Sequence, residues 1–226
     1  MNTLVVFAHP VPGTYPFAVK DALCEEMARH GARIDCLDQH AEGFDPRFTP
    51  ADHAHFWGGA KPADIAAQHE RLDRAERLAF VYPVYWWGMP AIMKGWIERV
   101  FAGDYAYRYG SGVADRCTAG LKGLLRDRPT ILLGIGGSIE RTYERYGYGE
   151  AMRTAIDVGL FSYCGIRDVE SHTLFDVEGE ANAARRAAYL DEVRAIAAAF
   201  MAPDRPARDA KREHFGAALR EEREPR

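Results

Sequence analysis

Two adjacent tryptophans, Trp86 and Trp87, stand in the segment Pro83-Val84-Tyr85-Trp86-Trp87-Gly88-Met89-Pro90. Neighbouring side chains on extended chain point to opposite sides. Both indoles therefore do not enter one side of a core, and one is expected to face a cleft. A planar aromatic wall beside backbone amides suits a flat heteroaromatic ligand. The competing reading is that both rings simply cap a sheet.

Two other segments carry related chemistry. His9-Pro10-Val11-Pro12-Gly13-Thr14-Tyr15-Pro16 leads into a helical pattern. Free N–H groups and the positive dipole end of a helix favour an anion such as phosphate, and His9 and Thr14 add side-chain donors. Neither GxxxxGK[ST] nor GxGxxG occurs here, and an ordinary connection with a capping Thr14 explains the segment equally well. Gly136-Gly137 lets backbone approach a ligand closely, and Tyr143, Tyr146 and Tyr148 follow. A phenol donates a hydrogen bond where negative charge develops on oxygen, although a single tyrosine is more often structural.

The elements that must position these segments follow from hydrophobic patterning. Leu4 to Ala8, Leu78 to Tyr82 and Thr130 to Leu133 are short continuous apolar runs, as strands buried on both faces read. Arg33 to Asp38 is a weaker strand and Val169 to Phe175 a fifth. Between them Val19/Leu23/Met27, residues 64–75, Ile92/Trp96/Val100, residues 151–163 and Tyr189/Val193/Phe200 repeat at helical spacing. Residues 39–63 and 103–129 read as irregular excursions. The alternation predicts an α/β, flavodoxin-like doubly wound five-stranded parallel sheet with helices on both faces. Its domain spans 1–202, followed by a charged, loosely held tail over 203–226. In such a sheet ligands sit outside the carboxyl ends of the strands, which is where three loops, residues 9–17, 83–89 and 134–149, fall.

Composition narrows the classes. The 226 residues are 47% apolar and 27% charged, with a net charge of −4, so nothing global suggests nucleic-acid binding. No apolar run approaches the ~20 residues of a membrane helix, and no export signal is visible. Cys24, Cys36, Cys117 and Cys164 lack the paired spacing of a zinc or redox motif. The reading is a cytoplasmic protein with reduced thiols and no membrane insertion. His53-x-His55 reads as a solvated pair rather than a metal site, and Ser138 lies outside a GxSxG elbow.

The stretch from Pro83 through Lys94, Gly95, Glu98 and Arg99 to Phe101 resembles the signature of the NAD(P)H:quinone oxidoreductases, flavoproteins of the DT-diaphorase type. The likeness continues through Ala106-Tyr107-Arg108-Tyr109, begins at Leu4 to His9, and resumes at Gly136-Gly137. It implies a homodimer that binds FAD, or FMN in shorter relatives; the 39–63 excursion and the tail offer cover for an adenine, which favours FAD. It also implies two electrons passing from NAD(P)H by way of flavin N5 to a quinone or similar small aromatic acceptor. One pocket serving two flat substrates in turn predicts ping-pong kinetics.

Carried over by position, His9, Thr14, Tyr15 and Pro16 fall where the flavin phosphates are held. Pro83, Val84, Tyr85, Trp86 and Trp87 fall along the isoalloxazine, and Gly136 and Gly137 at its pyrimidine side. Tyr143 matches the tyrosine that stabilises the reduced flavin, with Thr142 as a rival alignment. Tyr107 and Tyr109 fall in the substrate pocket, across a dimer interface. The family usually has Asn at Pro16 and a catalytic His after the tyrosine. Here Tyr148 and Gly149 stand in that place, and His69 falls near a flavin-contacting Gln that it could replace, although an exposed helical histidine is the plainer reading. Rival readings are a flavin-binding regulatory subunit of an ion-efflux transporter, an electron-transfer module, and a reductase of azo, nitro or pathway-specific aromatic compounds.

Overall fold

A computed structural model describes residues 1–108 and 121–216. Along the chain run β1 (Asn2–Phe7), α1 (Tyr15–Arg29), β2 (Arg33–Asp38), α2 (Pro50–Phe56), α3 (Ala63–Arg74), β3 (Arg77–Pro83) and α4 (Ala91–Val100). A small antiparallel pair follows, β4 (Tyr107–Arg108) and β5 (Lys122–Gly123), then β6 (Thr130–Ile135) and α5 (Glu140–Tyr146). Next, α6 (Tyr148–Met152) continues into a π-helical stretch (Arg153–Ser162), and β7 (Val169–Leu174), α7 (Ala183–Met201) and α8 (Ala210–Phe215) complete the order.

Five strands pair in parallel in the order β2-β1-β3-β6-β7. This is the flavodoxin-like order expected from the sequence. Alternate residues of the central strands feed two cores. Leu4, Val6, Leu78, Phe80 and Leu132 face Met93, Trp96, Val100 and Phe161 on one side. Val5, Phe7, Ala79, Val81, Ile131 and Leu133 face Val19, Leu23, Met27, Val193 and Phe200 on the other. Trp96 and Val100 are fully buried, so the stripe on α4 is core.

Three expectations are overturned. Residues 39–63 are not irregular throughout. Thr49 and Asp52 form a reciprocal capping box that starts α2, and the Asp52 carboxylate then accepts from buried Arg99 at 3.0 Å. That ion pair ties α2 to α4. Residues 134–149 are not a loop throughout, because α5 carries Tyr143 and Tyr146. The described part of the tail, residues 203–216, is not loosely held. Arg205 pairs with Asp168 at 2.8 Å and with Glu170 at 3.1 Å, and the Ala210 N–H donates to Arg167 O. The buried Asp168 carboxylate, with half-buried Glu170 beside it, demands a cation, and Arg205 supplies it. These contacts lie at the entrance to β7, on the edge of the sheet opposite the 9–17, 83–89 and 134–149 segments.

Candidate functional site

The rim is built outward from β3. Val84 N–H donates to Ile135 O at 2.8 Å, extending the β3–β6 pairing. Tyr85 and Gly88 then exchange both backbone hydrogen bonds at 3.1 Å. The two residues between them, Trp86 and Trp87, have φ of 48° and 60°. This is a two-residue turn with both central residues left-handed, a geometry that normally takes Asn or Gly. Bulky residues are held there at a cost of about 1–3 kcal/mol each. The two rings part as expected, but a turn and not strand alternation divides them.

The turn sends the indoles to different surroundings. Trp86 is 93% exposed. Trp87 stacks on Tyr148 with centroids 3.8 Å apart and meets the Tyr143 ring edge-on at 5.1 Å. Among the described residues, neither tryptophan's N–H has a protein partner. The turn therefore offers two backbone donors beside an aromatic floor.

Tyr143 comes from α5, whose start follows the glycine pair. Its side chain is 4% exposed, and its hydroxyl has no partner among the described residues. A Cβ at Gly136 would stand 2.7 Å from that hydroxyl, so only glycine lets the phenol lie against this backbone. Burial pushes the Tyr143 hydroxyl up, which keeps it a protonated donor. The Gly136 N–H and O are used by Leu174 and Val177, whereas the Gly137 N–H has no partner among the described residues. The Glu178 carboxylate packs where a Gly137 side chain would go.

The 9–17 loop is organised around His9 and Thr14. Thr14 is the N-cap of α1 by backbone geometry but makes no capping hydrogen bond. Its hydroxyl donates to Val11 O at 2.8 Å and lies 3.0 Å from His9 Nδ1. Nδ1 also lies 3.2 Å from both Val11 N and Val11 O, so it has a partner in this loop in either tautomer. The helix N-terminus is thus left open to an anion. Tyr15 turns away from the rim. Its hydroxyl donates to Arg186 O at 3.1 Å, and burial pushes it up to about 12. Pro16 is buried in the first turn of α1 and has no N–H to offer.

Not every expected residue gathers here. Tyr107 lines a separate cavity of about 380 Å³ with Phe48, Phe56, Phe101 and Tyr163, and Tyr109 lies outside the described residues. His69 is neither exposed nor at the rim. It is buried and stacked on Tyr105 at 3.4 Å, and its Nε2 meets Val100 O at 2.8 Å. Desolvation pulls it down to about 4. His53 accepts from Trp57 Nε1 on α2, and His55 meets Gly59 O.

Sequence reasoning missed Asp157. It lies 7% exposed on the π-helical stretch, and Ser171 reaches both of its oxygens at 2.8 Å. Desolvation pushes its carboxyl up to about 6. A cavity of about 240 Å³ behind Tyr143 is lined by Tyr82, Tyr143, Asp157, Ser171 and His172. The break from α to π spacing, which turns Asp157 inward, has no signature in the residue types.

An uncharacterized NAD(P)H oxidoreductase of Haemophilus influenzae is 28% identical over 189 residues, covering 83% of this chain and 90% of that protein. The NAD(P)H dehydrogenase [quinone] 1 of Rattus norvegicus is 27% identical over 196 residues, covering 78% and 69%. The solved NAD(P)H:quinone oxidoreductase from Methanothermobacter marburgensis is 25% identical, with a TM-score of 0.80 over 88% of this chain and 98% of that one. Residues 1–197 match the family described as flavodoxin-like fold, and the protein belongs to that family.

Proposed function

We propose that the protein is a flavin-dependent NAD(P)H oxidoreductase of the quinone-reductase type. The observation that carries this reading is the Trp86–Trp87 turn, strained by its backbone and backed by the Trp87–Tyr148 stack. Strain of this kind persists where a ligand-binding geometry is built in advance. The names of the Haemophilus and rat relatives support the same activity.

The residues fit a flavin. The open start of α1, with His9 Nε2 and the Thr14 region, suits a phosphate. The Trp86 and Trp87 N–H groups suit the polar edge of a flat ring lying beside the turn. Tyr143, with its free hydroxyl, and the Gly137 N–H suit an edge that becomes negative on reduction. A bound flavin supplies two-electron acceptor and donor chemistry that side chains lack.

The chain's own residues bind and orient. Trp87 and Tyr148 hold the floor flat, and Tyr143 keeps its proton on the phenol oxygen as a donor. Glu178 opposes negative charge near Gly137. No histidine lies between His69 and His172, so none stands shortly after Tyr143, and proton delivery falls to Tyr143, Tyr148 or solvent.

FAD is the proposed form, with FMN as the alternative. Of the two segments that favoured FAD, the tail is anchored at the far edge of the sheet by Arg205, so only the chain after β2 supports it. A homodimer, with Tyr107 and Tyr109 contributing to the substrate pocket, belongs to the same proposal, as does a ping-pong course.

Anaerobic mixing of the flavin-loaded protein with NADH or NADPH tests the reading. Direct bleaching of the flavin, and its reoxidation by a benzoquinone, is the expected result. A flavin that needs a separate reductase indicates an electron-transfer module, and a bound flavin without turnover indicates a regulatory subunit.

A further inference from the structure

Asp157 takes no part in the binding described for the rim, yet two cavities meet at it. The inner one, about 240 Å³, is lined by Tyr82, Tyr143, Asp157 and Ser171. The outer one, about 440 Å³, lies between the π-helical stretch, β7 and α8, with Arg153, Asp157, Ser171 and His214 in its lining. Arg153, Asp157 and Ser171 thus border both. Arg153 and Ser171 are exposed whereas Asp157 is buried, so the carboxyl stands between solvent under α8 and the interior behind Tyr143. The two tyrosines of the inner cavity are 3% and 4% exposed, and neither hydroxyl has a partner among the described residues. Buried hydroxyls of this kind are satisfied by ordered water, and the cavity has room for several molecules.

Charged groups face Asp157 from each element packed against it. Arg153 shares its own stretch, Arg208 and His214 approach from the tail, and Ser171 reaches both carboxylate oxygens at 2.8 Å. Glu150 of α6 and Glu213 of α8 line the outer cavity, and Glu140 and Glu192 the inner one. On β7, Glu170 lies 3.9 Å from His172. Desolvation outweighs the hydroxyl and the cations and pushes the carboxyl up to about 6, a value suited to giving and regaining a proton. Burial, with smaller contributions from Asp157 and Tyr143, pushes the Tyr82 hydroxyl up. Tyr82 therefore keeps its proton and stands close to both.

We propose that Asp157 relays protons from solvent under α8, through the inner cavity, to the Tyr143 hydroxyl. The relay deepens the function proposed above and rests on it. Passing a hydride from NAD(P)H to a quinone takes up one proton from water to complete the hydroquinone. Tyr143 gives its phenolic proton at the rim, the Asp157 carboxyl replaces it by way of Tyr82 and cavity water, and solvent returns a proton to the Asp157 carboxylate. O–H bonds break and form in sequence, and no group of the relay changes oxidation state. The net uptake is that one proton. Asp157 acts through Tyr143 and is a positioning residue for the proton, reaching the phenol from behind the sheet's rim.

The flavin-free full chain gives the first readout. Its infrared spectra, followed against pH, should show a protonated carboxyl band that titrates near pH 6, is missing from Asp157→Asn and shifts in Tyr143→Phe. The flavin-loaded chain, mixed with NADH in stopped flow, gives the second. The parent's rate of flavin reduction should fall as pH rises through about 6. Asp157→Asn should slow it at least ~10-fold at about pH 6, short of the ~100-fold of a directly placed acid, and should abolish that pH dependence. A carboxyl band that Tyr143→Phe leaves unmoved, or an Asp157→Asn chain with the parent's pH profile, would overturn the relay while leaving the flavin reading intact. A chain that binds no flavin, or whose flavin NADH fails to bleach at any pH, overturns the flavin reading and the relay with it.

Discussion

Trp87 lies flat against Tyr148, with ring planes 14° from parallel. One ring belongs to the turn after β3 and the other to the first residue of α6. The contact therefore locks two rim segments that are far apart in sequence. Tyr143, edge-on to Trp87, is held by the same cluster. Position at this rim comes from ring packing, and the donors, Tyr143 Oη and the turn N–H groups, are left free of protein partners.

Tyr143→Phe separates binding from chemistry. The ring still fills its place against Gly136, and only the unpartnered hydroxyl is lost. Flavin affinity should be unchanged while the rate of flavin reduction by NAD(P)H falls about 100-fold, the scale of one lost oxyanion donor. Stopped-flow absorbance reads this. An unchanged rate removes Tyr143 from the role.

Trp86→Asn exchanges function for stability. Trp86 is exposed and packs on little, while its left-handed backbone suits Asn. The apo protein should gain about 1 kcal/mol, a rise in Tm of ~2–4 °C for a chain of this size. Flavin binding should weaken in the same variant. A lower Tm in calorimetry would contradict the strain argument.

Asp157 gives a signed pH dependence. Its folded-state pKa of about 6 lies above the ordinary ~3.9 of an unfolded chain, so folding favours the protonated form. The stability it contributes is complete below about pH 4 and is lost as pH rises through about 6. Asp157→Asn keeps an acceptor for Ser171 and removes that loss. The variant should match the parent near pH 4 and exceed it near pH 8 by on the order of 3 kcal/mol. Urea midpoints at the two pH values compare them, and an equal gain at both would sink the assignment.

Arg205→Ala tests the anchoring of residues 203–216. Removal leaves Asp168 and Glu170 short of their cation. A loss of about 3–5 kcal/mol is expected for breaking a buried pair from one side. A shift below ~0.5 kcal/mol in equilibrium unfolding would mean the tail is loosely held after all.

Much of the fold was legible because continuous runs such as Leu4–Ala8 and Leu78–Tyr82 admit few readings other than buried parallel strands. The rim followed from topology, which brings the 9–17, 83–89 and 134–149 segments to the carboxyl ends of the strands. The errors came where tertiary partners override local pattern. Thr49 and Asp52 carry a capping signal, but Pro46, Pro50, Pro62 and the Gly58-Gly59 pair made the segment read as irregular. Arg205 looked solvated because its charged neighbours in sequence gave no hint of Asp168. His69 looked exposed because nothing local announces Tyr105 or the Val100 carbonyl. The Trp86–Trp87 turn was hidden because its residues are poor formers of the conformation they adopt.

The central claim is that this rim binds a flavin against the tryptophan turn. Titration of the apo protein with FMN and with FAD, followed by tryptophan fluorescence, tests it most directly. Saturable quenching by at least one of them, at one flavin per chain and weakened in Trp86→Asn, is the predicted result. Fluorescence unmoved by excess of either, from a protein that also purifies colourless, would contradict the account.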